Sequence, residues 1–164
     1  MKSIKNGFEI ERRFLVSSMP NLENHPCKNI VQYYLNDKVT RIRRIDNDFV
    51  LTQKSGSGLS RTEIEYSITK EHFDKLKLGA TSYIMKTRYF LPLYNNLVAE
   101  LDIFKGKHQG IVICEVEFSS IEDANSFEKP DWLGKDITLE KNLSNKNMSK
   151  NPEKALKCFN NLLS

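Results

Sequence analysis

Hydrophobic and polar residues alternate along most of this chain, which is the pattern of β-strands that have one apolar and one polar face. In residues 111–119, for example, Glu115 and Glu117 alternate with Cys114 and Val116. Short polar segments such as residues 46–48 separate the alternating stretches and suit hairpin turns. The pattern predicts eight strands, at residues 8–16, 30–35, 39–45, 49–54, 61–68, 83–91, 97–104 and 111–119.

Three other segments carry helical signals. Thr69 is placed to cap a short helix near residues 70–78, which Gly79 would end. A second helix is predicted over residues 121–129, ahead of Pro130, and a third over about residues 152–163, opened by Asn151 and Pro152. We therefore expect an α+β fold that is mainly β, an antiparallel sheet with a few flanking helices. The 164 residues suit a single domain, 1–164.

Composition narrows the function classes. The net charge of +4 permits an anionic partner without requiring a nucleic acid polymer. The three cysteines are odd in number and lack CxxC spacing, so we expect neither disulfides nor zinc but a reducing, cytoplasmic setting, with Cys114 a small core residue. No apolar run approaches the roughly 18 residues of a membrane helix, so no membrane is expected. His25, His72 and His108 fall outside the strands and are expected at the surface.

Most of the charged residues on the predicted strands come in pairs of the same sign, two positions apart, so both members of a pair share a face. A solvated sheet face explains any single pair, because exposed ion pairs are common and worth about 0–1 kcal/mol. It explains the whole set less well, because neighbouring like charges repel. The acids are Glu9, Glu11, Glu63, Glu65, Glu100, Asp102, Glu115 and Glu117; the bases are Arg13, Arg41, Arg43, Lys54, Arg61, Lys86 and Arg88.

An acidic zone of carboxylates suits Mg²⁺ or Mn²⁺, which prefer oxygen ligands. A basic zone rich in arginine suits phosphate oxygens. If the sheet curls with this face inward, a polyphosphate bridging a metal ion and the arginines satisfies both zones. The chain has no GxxxxGK[ST], GxGxxG or GxSxG motif that would indicate another common catalytic site.

The charged pairs occur in an order that resembles the CYTH family, the triphosphate tunnel metalloenzymes. The segment from Glu9 to Arg13 resembles the ExExK signature of that family, and the segment from Gln32 to Leu35 resembles its QGYL motif. The match continues, in chain order, through residues 41–43, 51–54, 58–65, 86–89, 100–102, 115–118 and 130–134, and covers about residues 8–148.

The resemblance implies a closed, eight-stranded antiparallel β-barrel tunnel with a charged interior. It also implies metal-dependent hydrolysis of triphosphate substrates, most often inorganic tripolyphosphate. Carried over by position, the metal ligands would be Glu9, Glu11, Asp102, Glu115 and Glu117. The phosphate-binding residues would be Arg13, Arg41, Arg43, Lys54, Arg61, Lys86 and Arg88. The catalytic residues would be Arg13, Tyr34, Glu63 and Glu65, with Glu63 and Glu65 as helpers to the metal site.

Arg13 stands where the family signature has lysine, which works with the QGYL tyrosine, here Tyr34, near the attacking water. Arginine does not readily give up a proton. Two outcomes stay open. Arg13 takes over the role of the lysine with a reduced rate of hydrolysis, or it binds phosphate without helping to activate water. Alternative functions are an organic triphosphatase acting on ATP or thiamine triphosphate, a class IV-type adenylate cyclase, and a non-catalytic polyphosphate- or nucleotide-binding module. The oligomeric state is also open, with a homodimer as one option.

Overall fold

The computed structural model describes residues 2–5, 10–37, 39–55 and 62–164, with backbone alone for residues 2–5, 54–55 and 62–63. It divides into two compact units. The first comprises Met1–Phe8 and Asn29–Met85, and the second comprises Glu9–Lys28 and Lys86–Ser164. Of the predicted site residues, Glu9 and Arg61 lie outside the described part of the chain.

Antiparallel β-sheet dominates both units, as the alternating pattern predicts. The described residues form ten strands, two more than predicted. The additions are the first and the last, and both are only four residues long. The strands are β1 Lys2–Lys5, β2 Ile10–Val16, β3 Cys27–Leu35, β4 Thr40–Ile45, β5 Asp48–Ser55, β6 Thr62–Ser67, β7 Ala80–Pro92, β8 Val98–Phe104, β9 Val112–Phe118 and β10 Leu133–Asp136.

In the first unit the strand order is β1-β6-β5-β4-β3. One face of this row is apolar and aromatic. The ring of Tyr33 on β3 lies 5.9 Å from that of Phe73, and Phe49 on β5 lies 5.0 Å from the same ring. Phe73 comes from the helix α1, Lys70–Lys77, which Thr69 caps as predicted by accepting a hydrogen bond from the backbone of His72. The opposite face of the row is left for polar side chains.

In the second unit the order is β7-β8-β9-β2-β10. Its hydrophobic core includes Phe14, Leu101, Val116 and Phe127, and the predicted core residue Cys114 is confirmed as fully buried in it. The helix α2, Ile121–Ser126, is three residues shorter than predicted. It ends there because Phe127 takes an extended backbone and packs its ring 5.2 Å from Phe118.

The chain after β10 is mostly helical. A 3-10 turn at Lys141–Leu143 and the helix α3, Asn145–Lys150, were not predicted. The helix α4, Pro152–Leu163, agrees with prediction, and Asn151 caps it by accepting a hydrogen bond from the backbone of Lys154 at 3.1 Å. Two further 3-10 turns lie at Tyr94–Asn96 and Gly106–His108.

One of the predictions of surface residues is wrong. His108 is buried, and its Nε2 lies 2.7 Å from the backbone oxygen of Met148 in α3. Because a carbonyl can only accept, Nε2 carries the proton and donates.

In each unit taken by itself the five strands form an open row, so closure into a barrel stays a prediction. Within the described residues, no helix combines the length and the apolar character needed to span a membrane.

Candidate functional site

A network of ion pairs lies on the polar face of the second unit, centred on Asp102 of β8. Asp102 is 0% exposed and accepts hydrogen bonds from Lys86 Nζ at 2.5 Å and from Arg88 Nε and Nη2 at 2.7 Å each. Lys86 and Arg88 project from the same face of β7, and Arg88 pairs directly with Asp102 across the ladder. The bidentate contact with Arg88 is the strongest geometry available to a carboxylate.

Arg88 extends the network to the neighbouring strands. Its Nη2 donates to Glu115 Oε2 at 2.7 Å, and its Nη1 donates to Glu100. Glu100 and Glu115 stand opposite each other on β8 and β9, so the arginine between them compensates their mutual repulsion. Glu115 also accepts from Arg13 Nε on β2, at 3.2 Å. Both carboxylates are therefore paired with bases.

The charges in this network balance, with three bases (Arg13, Lys86, Arg88) and three acids (Glu100, Asp102, Glu115). Burial favours the neutral form of Asp102, but the adjacent Lys86 and Arg88 outweigh it and hold the pKa of Asp102 below its ordinary value. Burial raises the pKa of Glu100, against the attraction of Arg88. The buried charges stay in place because each has a partner.

Two carboxylates lie at the exposed end of the same face. Glu11 on β2 stands directly opposite Glu117 on β9, and both are exposed. Adjacent carboxylate oxygens that reach solvent suit a hard divalent cation. Among the side chains that the structure describes, those of residues 10–37, 39–53 and 64–164, there is no group of three or more His, Cys, Asp or Glu able to hold a metal ion. Glu9, which shares the predicted strand with Glu11, is not among those residues.

The polar face of the first unit carries a second group of predicted residues. Arg43 Nε donates to Gln32 Oε1 at 2.9 Å, and Gln32 Nε2 donates to the hydroxyl of Tyr34. Tyr34 pairs in register with Arg41, which lies 4.0 Å from Glu65. These residues come from β3, β4 and β6, and the two-residue spacing in each strand places them on one face.

Two contacts in these groups were not predicted from the sequence. The first is the hydrogen bond between Gln32 and Tyr34. The sequence offers one signal for it, because the spacing of two between these residues indicates a shared face. The second is the backbone oxygen of Leu143, which accepts from Arg13 Nη2 at 2.5 Å. A backbone partner leaves no signal in the side-chain pattern.

The remaining predicted residues are placed by backbone register alone. Lys54 on β5 stands opposite Glu63 on β6, which puts both on the face that carries Arg41. The two predicted partners in water activation, Arg13 and Tyr34, belong to different units. Their roles stay predictions.

Comparison with known proteins identifies the family. Residues 7–153 match the CYTH domain. An inorganic triphosphatase of Nitrosomonas europaea is 36% identical over 143 residues, which are 84% of this chain and 94% of that protein. The chain belongs to the CYTH family. An inorganic triphosphatase of Acetivibrio thermocellus is 33% identical to this CYTH protein over 160 residues, which are 92% of this chain and 99% of the relative.

A solved structure agrees with this CYTH assignment. The crystal structure of the inorganic triphosphatase NE1496 superimposes with a TM-score of 0.70 at 31% identity, over 87% of this chain and 95% of that one. The predicted family is thus confirmed, and with it a mainly antiparallel β fold that has few helices.

Proposed function

We propose that this CYTH protein is a metal-dependent inorganic triphosphatase that hydrolyses tripolyphosphate to pyrophosphate and orthophosphate. The observation that carries the proposal is the extent of the match: two relatives named inorganic triphosphatase align over 94% and 99% of their own lengths. The charged faces of both units support it, because they offer arginines for phosphate oxygens and carboxylates for a cation.

The proposal includes the fold that the family resemblance implies. Residues 1–164 form one tunnel domain, in which the sheet closes into an eight-stranded barrel with the charged faces inside. The phosphate-binding residues are Arg13, Arg41, Arg43, Lys54, Arg61, Lys86 and Arg88. Lys86 and Arg88 already hold Asp102, so phosphate binding by either of them would compete with that contact.

The metal ion is Mg²⁺ or Mn²⁺. Glu11 and Glu117 fit it best because they are adjacent and exposed. Glu9 is a further proposed ligand, and so is Glu115, which would have to release Arg13 or Arg88 to bind the ion. Asp102 fits less well than its sequence position indicates, because Lys86 and Arg88 occupy both of its oxygens. When bound, the ion neutralises phosphate charge and orients the substrate.

In the reaction, a water oxygen bonds to the terminal phosphorus while the bond from that phosphorus to the bridging oxygen breaks. Pyrophosphate leaves, and the proton of the water passes to solvent. The transition state of such transfers is loose, so the residues act chiefly by positioning and by neutralising charge. Tyr34, Glu63, Glu65 and Arg13 are the proposed catalytic residues, with Tyr34 oriented by the hydrogen bond from Gln32.

A phosphate-release panel tests the proposal. Tripolyphosphate, pyrophosphate, ATP and thiamine triphosphate are each incubated with the protein and Mg²⁺, Mn²⁺ or a chelator. We expect tripolyphosphate to be the preferred substrate, release to need the metal, and Glu11→Gln to abolish it. Glu122→Gln, a change at an exposed glutamate in the first turn of α2, is the matched control and keeps full activity.

Each other outcome identifies an alternative. Preference for ATP or thiamine triphosphate indicates an organic triphosphatase, and cyclic AMP formed from ATP indicates a cyclase. Tight tripolyphosphate binding by calorimetry without turnover indicates a binding module. Metal-independent release, or release that Glu11→Gln leaves unchanged, contradicts the proposed site. A cytoplasmic location and a homodimer stay predictions.

A further inference from the structure

Arg13 on β2 bonds to two other parts of the second unit, the strand β9 and the chain that follows β10. Its side chain lies between Glu115 of β9 and the backbone oxygen of Leu143, at 3.2 and 2.5 Å. Its backbone N–H donates to Thr138 Oγ1 at 3.0 Å, and its backbone oxygen accepts from the N–H of Ile137 at 2.8 Å. The chain leaving β10 therefore bonds to Arg13 at Ile137 and Thr138 and again at Leu143.

The part of the chain held in this way is anchored by a small number of buried side chains. We call residues 137–163 the C-terminal segment. Leu143 and Met148 are fully buried in it, and Ala155 and Phe159 of α4 are nearly so. A second attachment is the hydrogen bond between His108 and the oxygen of Met148.

The guanidinium is suited to this double contact. It donates from two nitrogens held in one rigid plane, so it can reach a carboxylate and a carbonyl at the same time, whereas an ammonium is a compact point charge on a flexible stem. The residue is 6% exposed, and both of these bonds end inside the protein. A lysine at position 13 would have to make both contacts from one nitrogen on a flexible stem, so it is less well organised to hold both.

We propose that Arg13, in addition to the phosphate-binding and catalytic roles proposed for it above, has a positioning role: it ties the C-terminal segment to Glu115, and this link is what arginine provides where the family signature has lysine. The link is independent of turnover. Its relevance to catalysis rests on the proposed function, because Glu115 is there a proposed metal ligand. The C-terminal segment thereby holds one carboxylate of the site through Arg13.

Hydrogen exchange of the intact protein, in buffer with Mg²⁺, tests the link. The reporting amides are those of Leu143, Ser144, Met148 and Asn151, which donate within the segment. Loss of one hydrogen bond to a charged group accelerates exchange that proceeds by local opening, so Arg13→Lys is expected to speed these amides about tenfold. The amide of Phe73, in α1 of the first unit, is the internal reference and keeps its rate.

Two further variants distinguish the loss of the Arg13 link from a general loss of stability. Arg44→Lys makes the same exchange of side chains at an exposed arginine that bonds only locally, to the oxygen of Asp46, and leaves exchange unchanged. Glu115→Gln is expected to speed the segment amides less than Arg13→Lys does. The double variant is expected to add less than the sum, because both changes break one link.

Unchanged exchange in Arg13→Lys, or equal acceleration at Phe73, overturns the proposal. Additive effects in the double variant overturn it as well. Phosphate release, measured on the same samples, answers a different question. If wild type releases no phosphate, the proposed function fails while the exchange result still decides the link. If Arg13→Lys releases phosphate faster with unchanged exchange, the link fails and the proposed function stands.

Discussion

Replacing Asp102 by asparagine tests whether the ion-pair network holds the second unit together. Asn has nearly the same shape as Asp, so the change leaves no cavity and removes only the charge. It leaves Lys86 and Arg88 as two adjacent bases, one of them 3% exposed, without the carboxylate that binds both. The amide oxygen has two lone pairs and can still accept from both bases, as Oδ2 of Asp102 does, but it carries no negative charge, and the amide nitrogen can accept from neither.

The magnitude follows from burial. Removing one partner of a buried pair costs about 3–5 kcal/mol, because the remaining charge is left uncompensated. Since Asn keeps one acceptor and Arg88 keeps Glu100 and Glu115, we expect the lower part of that range, about 3 kcal/mol. For a protein of this size that corresponds to a fall in Tm of roughly 6–12 °C.

Urea denaturation at pH 7 measures the loss, with Asp74→Asn as the matched control. Asp74 pairs with Lys70 on the exposed side of α1, and breaking such a pair costs about 0.5 kcal/mol or less. A loss in Asp102→Asn no larger than that of Asp74→Asn would refute the assignment of a structural role to the network.

The pH dependence gives a second check. The folded pKa of Asp102 lies below its unfolded value, so between the two values the unfolded state binds more protons and stability rises with pH. The contribution of the carboxylate is complete above the ordinary aspartate pKa of about 3.9 and is lost as the pH falls through the folded value. The gap between wild type and Asp102→Asn should therefore be constant near neutrality and narrow only in acid.

Three other predictions concern separate parts of the molecule. Glu117→Gln, at an exposed position, is expected to lower metal-dependent phosphate release at least about tenfold with little change in Tm; full activity would remove Glu117 from the metal site. Arg43→Lys loses the planar contact with Gln32 and is expected to raise KM for tripolyphosphate in steady-state assays, whereas an unchanged KM would exclude a role in phosphate binding. Phe159→Ala removes a side chain that is 4% exposed and should lower the free energy of unfolding, measured by urea denaturation, by about 3–5 kcal/mol. Leu163→Ala, at a side chain that is 54% exposed, should lower it little; equal losses would contradict the packing of α4.

The alternating strands could be predicted because their periodicity is local. Glu115 and Glu117 fall on one face of β9 with Cys114 and Val116 on the other, as the two-residue period requires. The strand β10 was missed because it is four residues long and its register shifts between Leu133 and Asp136. That leaves too short a regular stretch to produce an alternating pattern.

The partners of the charged residues were harder to predict than the faces they occupy. Sequence spacing places Lys86 and Arg88 together and Glu100 and Asp102 together, but it carries no register between strands. The ladder pairs Arg88 with Asp102, so residues expected to bind separate ligands bind each other. His108 illustrates the same limit, since its burial depends on α3, whose Met148 lies forty positions later in the chain.

The charged face of the second unit has a buried part and an exposed part. This difference bears on residues such as Lys86 and Asp102, which are proposed ligand-binding residues but also bind each other. Lys86 and Asp102 are buried and bind each other, and Asp102 also binds Arg88. A triphosphate or metal ion reaching them would have to break contacts that cost several kcal/mol to lose. Glu11 and Glu117 lie at the exposed end, where solvent screens a charge and an ion pair is worth about 0–1 kcal/mol. We therefore expect Lys86 and Asp102 to orient Arg88, and Glu11 and Glu117 to contact the ligand. Asp102→Asn should then lower mainly the stability of the protein, and Glu117→Gln mainly its activity.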